Sequence, residues 1–320
     1  MSAIVVPLDG SKTSERALPL AAAVAKALKA SIVLVEAPVT MESVDGGLML
    51  YRAVRRAEAY LEEQCARLRR DGFDVRSVST VADPADLIMA EAQRPGVDGV
   101  VISTHGRTGL RRALLGSVAE RVVRHSSVPV YLMPPRAAAT ATRELGRVLV
   151  PLDGSAYSSM VLGAVIPLAK ACRATVCLMR SFGEDETLLP DSDEDVQLPV
   201  PAAYDELAAA ASAYFLPIRA RLQMQGLGSE AYWASGDPAA EIVQMADLKH
   251  IDLIALATHG RTGLARLRFG SVAESVLRKS TVPVMTFGHA ALKRLSSAVS
   301  AFEGRRKVAV EVDADLIYHR

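Results

Sequence analysis

Residues 97–117 read VDGVVISTHGRTGLRRALLGS, and residues 251–271 read IDLIALATHGRTGLARLRFGS. Each begins as an apolar run of strand length, Val97–Thr104 and Ile251–Thr258, too short for a stable lone helix. Each then passes through glycines to a Gly-Ser pair, Gly116-Ser117 and Gly270-Ser271, that opens a helical pattern, Ser117–Arg124 in the first. A buried strand followed by a glycine-containing loop and a helix start is the geometry in which backbone N–H groups meet an anion. Gly106, Gly109 and Gly116 are expected to adopt left-handed angles and to let the backbone approach a ligand. Ser117 can donate to a phosphate oxygen or cap its helix, and Arg107, Arg111 and Arg112 add positive charge.

The chain repeats itself around this segment. PLDGS at 7–11 returns at 151–155, an offset of 151 − 7 = 144. DPA (83, 237), THGRTGL (104, 258), GSVAE (116, 270) and VPV (128, 282) return in the same order at 154. Ordered matches of this kind establish a duplication. The difference of 154 − 144 = 10 residues is a net insertion in the second copy. Its candidate is Gly183–Ala202, rich in Asp, Glu and Pro and without a helical or strand period, which reads as an exposed acidic loop. The expected organisation is a first domain over 1–136, a linker over 137–146, a second domain over 147–288 and a tail over 289–320. In the tail VAVEV, 308–312, alternates like an edge strand.

Within each copy strands alternate with helices. In the first, Ala3–Leu8, Ser31–Ala37, Val75–Val81, Val97–Thr104 and Val128–Met133 are strands. A helix over KTSERALPLAAAVAKALKA, capped by Ser11 or Thr13, follows the first strand. Leu48–Asp71 is a long amphipathic helix with Tyr51, Val54, Leu61, Cys65 and Leu68 near one face, and Pro84–Arg94 is a third helix. The second copy repeats the strands at Val148–Leu152, Thr175–Arg180, Glu230–Ala234, Ile251–Thr258 and Val282–Phe287. Apolar strands separated by helices imply an α/β fold: two tandem doubly wound, five-stranded parallel sheets. Ligands of such sheets bind beyond the strand carboxyl ends where strand order reverses, which selects the turns after the first and fourth strands.

Composition narrows the function classes. Fifty per cent hydrophobic and 23% charged residues suit a globular protein, and 37 basic against 36 acidic side chains give no electrostatic case for nucleic acid or an anionic membrane. No apolar run reaches the length of a membrane span and the N-terminus lacks a signal-peptide pattern, so a cytoplasmic protein is expected. Cys65, Cys172 and Cys177 have no CxxC spacing, so neither disulfide nor zinc site is expected, and Cys65 and Cys177 read as buried apolar residues. GxxxxGK[ST], a GxGxxG after the first strand, HExxH and GxSxG are all missing. No lysine sits in either glycine loop, which argues against efficient phosphoryl transfer. His105 and His259 have no evident nucleophile or metal partner and read as loop-orienting residues. Asp9 and Asp153 read either as helix caps or turn formers, or as ligand contacts.

The spacing from Gly106 through Arg107–Leu115 to Gly116-Ser117, and from Gly260 through Arg261–Phe269 to Gly270-Ser271, resembles the universal stress protein signature, over residues 1–134 and 146–288. The family pattern has a further glycine in front, where this chain carries Ser103 and Ala257. The resemblance implies a Rossmann-like fold of the adenine nucleotide α-hydrolase type, strand order 3-2-1-4-5, in a tandem member of the family. It implies ATP as ligand, with or without Mg2+, at Pro7, Asp9, Ala37, Ser103, Gly106, Gly116, Ser117 and Val118. The matching positions in the second copy are Pro151, Asp153, Ser181, Ala257, Gly260, Gly270, Ser271 and Val272. It implies a regulatory nucleotide with little or no catalysis; a nucleotide-free scaffold acting through a protein partner and a slow ATPase are the alternatives. It also implies pairing through the last strands, Val128–Met133 beside Val282–Phe287, and is compatible with a homodimer.

Overall fold

The computed structural model describes residues 2–38, 46–104, 115–137, 145–182, 200–258, 270–288, 290–292, 294 and 317–318. The sequence expectations for Gly106, Gly109, Gly260, His105, His259, Arg107, Arg111, Arg112, the tail strand at 308–312 and most of the acidic insertion lie outside them.

The first repeat runs β1 (Ala3–Pro7), α1 (Lys12–Glu15), α2 (Leu18–Leu28), β2 (Ser31–Glu36), α3 (Gly46–Arg70), β3 (Val75–Ser79), α4 (Pro84–Ala92), β4 (Val97–Ser103), α5 (Ser117–His125) and β5 (Val130–Met133). The second runs β6 (Arg147–Pro151), α6 (Ala156–Met160), α7 (Leu162–Cys172), β7 (Thr175–Phe182), α8 (Val200–Met224), β8 (Ser229–Ser235), α9 (Pro238–Leu248), β9 (Leu253–Ala257), α10 (Ser271–Lys279) and β10 (Val284–Phe287), with β11 at Ile317–Tyr318. Two compact units result: Met1–Leu145 with Ser280–Arg294, and Gly146–Lys279 with Leu295–Arg320.

In the first unit the strands stand in the order β3-β2-β1-β4-β5, all parallel. The order reverses between β1 and β4, which places the crevice there. β10 lies antiparallel to β5, with Val284 opposite Leu132 and Thr286 opposite Val130. This is the side-by-side placement expected of the two last strands. In the second unit β8, β7, β6 and β9 stand side by side and parallel. The central strands β1, β2, β6 and β7 are apolar and buried on both faces, the mark of a sheet covered by helices above and below. Cys65 and Cys177 are buried, as expected, and burial pushes the Cys177 thiol up to about 11.

Four elements differ from the sequence reading. The helix after β1 is two helices, α1 and α2: Pro19 has no N–H to bond back to the Glu15 carbonyl, and the helix restarts with proline in its first turn. In the second repeat Gly163, a poor helix former, occupies the matching position, and α6 and α7 are likewise separate. Tyr51 is not on the buried face of α3. Ala57, Leu61, Cys65 and Leu68 are buried, whereas Tyr51 is 61% exposed. Twenty-five residues span about 37 Å, roughly twice the length of the short strands, so the strands cannot cover all of α3. The end of the acidic insertion, Val200–Ala202, forms the first turn of α8. Finally, a short strand at Ile317–Tyr318 extends the second sheet beside Tyr232–Trp233 of β8, a pairing no sequence pattern indicated.

Candidate functional site

The carboxyl ends of β1 and β4 are joined to their helices by two short devices, and both repeats use the same ones. After β1 the chain turns at Gly10, whose φ of 77° lies in the left-handed region that glycine enters without strain. Gly154 does the same at φ 84°. The Asp9 carboxylate accepts from the Ser11 N–H at 3.0 Å and the Ser11 hydroxyl at 2.6 Å. Ser11 Oγ accepts in turn from the Ser14 N–H at 3.1 Å and caps α1. In the second repeat Asp153 accepts from the Ser155 N–H at 2.9 Å, and Ser155 Oγ accepts from the Ser158 N–H at 3.1 Å. The serine is the cap, and the aspartate forms the turn that aims it. The aspartate is thereby held at the strand end with a fixed orientation.

After β4 the Thr104 carbonyl accepts from the Gly116 N–H at 2.8 Å, and the Thr258 carbonyl accepts from the Gly270 N–H at 2.8 Å. Thr104 is anchored by its own N–H and hydroxyl, both donating to the Met133 carbonyl at 3.2 Å. Each glycine loop is therefore closed at its base, and the helix it feeds begins against the end of the strand it left. Gly116 does not adopt the left-handed angle expected for it. Its φ is −61° and ψ 150°, the extended conformation usual at a helix N-cap. A Cβ at Gly116 would meet the Thr104 carbonyl at 3.6 Å, an ordinary contact, so the glycine leaves the N-cap bare rather than relieving strain. The first intrahelical bonds run from Glu120 N–H to Gly116 and from Glu274 N–H to Gly270, each 2.9 Å. The N–H groups of Ser117, Val118 and Ala119, and of Ser271, Val272 and Ala273, precede that bond and carry the positive end of the helix dipole.

The proposed contact residues gather at this one edge of each unit. Pro7 ends β1, Asp9 follows it, Ala37 follows β2, and Ser103 ends β4, with Gly116, Ser117 and Val118 at the start of α5. Pro151, Asp153, Ala257, Gly270, Ser271 and Val272 take the same places in the second unit, and Ser181 matches Ala37 by the repeat offset. The register confirms the equivalence: Pro7 pairs with Val35, and Pro151 with Met179, 144 residues on in each case. Ser181 lies inside β7, and its hydroxyl donates to the Gly236 carbonyl at 3.4 Å. Ser103 is buried, whereas Ala257 is partly exposed.

One set of residues at this edge escaped the sequence reading. Glu36, the last residue of β2, is 6% exposed; its counterpart is Arg180. Glu15 accepts from the Tyr60 hydroxyl at 3.3 Å, and Lys12 pairs with Glu15 at 2.9 Å. Burial first, then the charge and hydrogen bond of Glu15 and the charge of Glu36, hold the Tyr60 hydroxyl well above its ordinary pKa. The counterparts of Glu15 and Tyr60 are Ser159 and Tyr214. There the Arg180 guanidinium lies 4.8 Å from the Phe182 ring centre and 5.0 Å from that of Tyr214. The signal was available: aligning the repeats at 144 sets a glutamate against an arginine at the end of an otherwise apolar strand.

Among the described residues no group of three or more His, Cys, Asp or Glu side chains is placed to hold a metal ion, and no helix is long and apolar enough to cross a membrane. The model of the universal stress protein family matches the chain twice, at residues 1–134 and 144–287. The chain is 29% identical over 143 residues to the universal stress protein YxiE of Bacillus subtilis, covering 43% of this chain and 96% of that one. It is 27% identical over 188 residues to the universal stress protein Mb2028c of Mycobacterium bovis, covering 58% and 60% respectively. The fold is similar to the crystal structure of a universal stress protein from Archaeoglobus fulgidus, with a TM-score of 0.70 at 20% identity over 89% of this chain and 98% of that one. With both repeats matched by the family model, the chain belongs to the universal stress protein family, as a member with two tandem domains.

Proposed function

We propose that the protein binds an adenine nucleotide, ATP in the first place, in the strand-end crevice of a unit, as a regulatory ligand of a cytoplasmic stress response. The observation that carries this reading is the closed loop base seen twice: Gly116 bonded to Thr104 and Gly270 bonded to Thr258. It sets an uncapped helix start against the switch point of the sheet, where N–H groups and the helix dipole favour a phosphate. In this reading Gly106, Gly116, Ser117 and Val118, or Gly260, Gly270, Ser271 and Val272, hold the phosphates. Asp9 and Pro7, or Asp153 and Pro151, flank the ribose and base, with Ser103 or Ala257 below and Ala37 or Ser181 beside the adenine. Magnesium would arrive with the phosphates. Ordering of the loops on binding would alter the surface offered to a partner, and no turnover is needed for that.

Gly116→Asp with Gly270→Asp tests the reading. Aspartate is a good N-cap residue and its Cβ has room at Gly116, so the fold is retained, while its carboxylate occupies the place of the phosphate. The wild type should melt several degrees higher with millimolar Mg·ATP, and the double variant should lose that shift. A shift that persists in the variant would remove the helix starts from the site. The second reading, a nucleotide-free scaffold, is favoured by the side chains of Ser103 and Ala257 where the family pattern has glycine. It predicts no shift in either protein.

A further inference from the structure

The duplication has conserved the backbone of the two strand-end turns but exchanged the buried Glu36 of the first for Arg180 in the second. We propose that the two sites are not equivalent: the second unit takes the nucleoside polyphosphate, the first is set against it, and the exchange of Glu36 for Arg180 is the main determinant. This rests on the nucleotide reading above.

Three observations point the same way. The first is electrostatic. At the end of β2 the first unit gathers Glu36, which is buried, and Glu15, whose carboxylate accepts from Tyr60. Lys12, which pairs with Glu15, is exposed to solvent and offsets one of these charges weakly. Arg16, which follows α1, is engaged beyond β5 rather than at the end of β2, donating to the Ala137 carbonyl at 2.5 Å and the Pro134 carbonyl at 3.4 Å. In the second unit the same end of the sheet carries Arg180 between two aromatic rings, with the neutral Ser159 in place of Glu15. Strands β7 and β9 flank β6, so their ends lie two inter-strand steps apart, about 10 Å. A cation at one end and the start of α10 at the other fall within the span of a nucleoside polyphosphate. Over that distance a charge reversal in a partly buried site changes affinity by about tenfold.

The second observation concerns the phenols. Tyr60 already donates to Glu15, whereas the Tyr214 hydroxyl is buried without a hydrogen-bond partner among the described residues. An incoming ligand atom can satisfy the second but not the first without breaking a bond. The third is steric. Ser103 is buried at the end of β4, while Ala257, smaller and partly exposed, ends β9.

The chain reports on this itself. Its one tryptophan, Trp233, stands opposite Arg180 on β8 and packs edge-on against Phe182 with ring centres 6.2 Å apart. Calorimetric titration of the full chain with Mg·ATP should give one tight equivalent, and Trp233 emission should change along the same isotherm. Arg180→Glu should weaken that equivalent about tenfold, with Arg180→Lys intermediate, at unchanged far-UV circular dichroism. Glu36→Gln should strengthen a second, weaker equivalent to which Trp233 is silent, which keeps the test open if an Arg180 variant does not fold. Two equal equivalents, or one to which Trp233 and Arg180→Glu are both indifferent, would overturn the inference and leave the nucleotide reading standing. No heat and no emission change up to millimolar nucleotide would overturn both.

Discussion

The crevice of the first unit and that of the second are alike wherever the backbone does the work and unlike where side chains do. The aspartate turn, serine cap, left-handed glycine and closed loop base recur with hydrogen bonds that agree within about 0.1 Å for most pairs. Beside them Glu36 of the first repeat corresponds to Arg180 of the second, Glu15 to Ser159 and Ser103 to Ala257. A duplicated fold thus holds this strand-end frame through main-chain geometry while the side chains beside it diverge. The sheet ends opposite the crevices diverge as well. There the first unit buries Glu91 between Arg76 and Arg94, and the second pairs Arg147 with Glu230 through two hydrogen bonds.

Exchanging residues between the units sharpens this contrast. The largest effect is expected for Gly99→Leu, which puts the Leu253 of the second unit into the first. A Cβ at Gly99 would lie 2.9 Å from the Tyr131 ring and 3.3 Å from the Pro129 carbonyl, so the variant should lose about 3 kcal/mol or more by urea unfolding. If it loses less than about 1 kcal/mol, the two β4-type strands are packed more alike than described.

Glu91→Gln should cost about 2 kcal/mol at neutral pH, with the exposure of the two arginines limiting the loss. Burial alone would raise the Glu91 pKa, but hydrogen bonds from Arg76 and Arg94, and their charges, hold it below the ordinary carboxylate value. A lowered pKa in the folded state means that the stabilisation is fully present above about pH 5 and is lost as pH falls through the folded value. Unfolding midpoints of wild type and variant should therefore converge on acidification. A gap that stays constant would mean that the charge of Glu91 contributes nothing.

Ser11→Ala and Ser155→Ala should each cost about 1 kcal/mol, equally, because each removes the same cap from the same short helix. Unequal losses, read by denaturant unfolding, would show that the two strand-end turns are less alike than their geometry. The smallest effects separate the tyrosines. Tyr60→Phe should lose roughly 0.5–1 kcal/mol with the hydrogen bond to Glu15. Tyr214→Phe should be neutral or slightly stabilising, since its hydroxyl is buried without a partner among the described residues. The reverse order would place a bond on Tyr214 and weaken the case for an asymmetric pair of sites.

Most of this architecture was legible in the sequence because repetition and periodicity are strong signals. The PLDGS and THGRTGL blocks located both strand ends, and the apolar strands between helices gave the parallel sheet. What was missed has physical causes. Pro19 splits a helix whose apolar period runs straight through it, so composition argued for one helix where a missing N–H makes two. Tyr51 keeps the period of α3 but is exposed near its start, and no pattern in the sequence tells how much of a long helix its sheet covers. Glycine allows the left-handed angle that the sequence suggests for Gly116, whereas the residue stands as an extended N-cap without a side chain. Ile317–Tyr318 pairs with β8 through main-chain bonds, which leave little trace in two residues. Glu36 and Arg180 were overlooked because each, read singly, is a polar residue at the end of a strand; only their opposition across the repeat gives them meaning.

The central claim is that a helix start, laid bare at Gly270 or Gly116 and pinned to the end of the fourth strand, receives a nucleotide phosphate. A crystal structure of the full chain grown with a non-hydrolysable ATP analogue and magnesium tests it most directly. The account predicts phosphate density against the N–H groups of Ser271 and Val272, with the adenosine lying over Asp153 toward Ser181. Crevices closed by the protein's own side chains in both units, with the analogue absent or bound elsewhere, would contradict it.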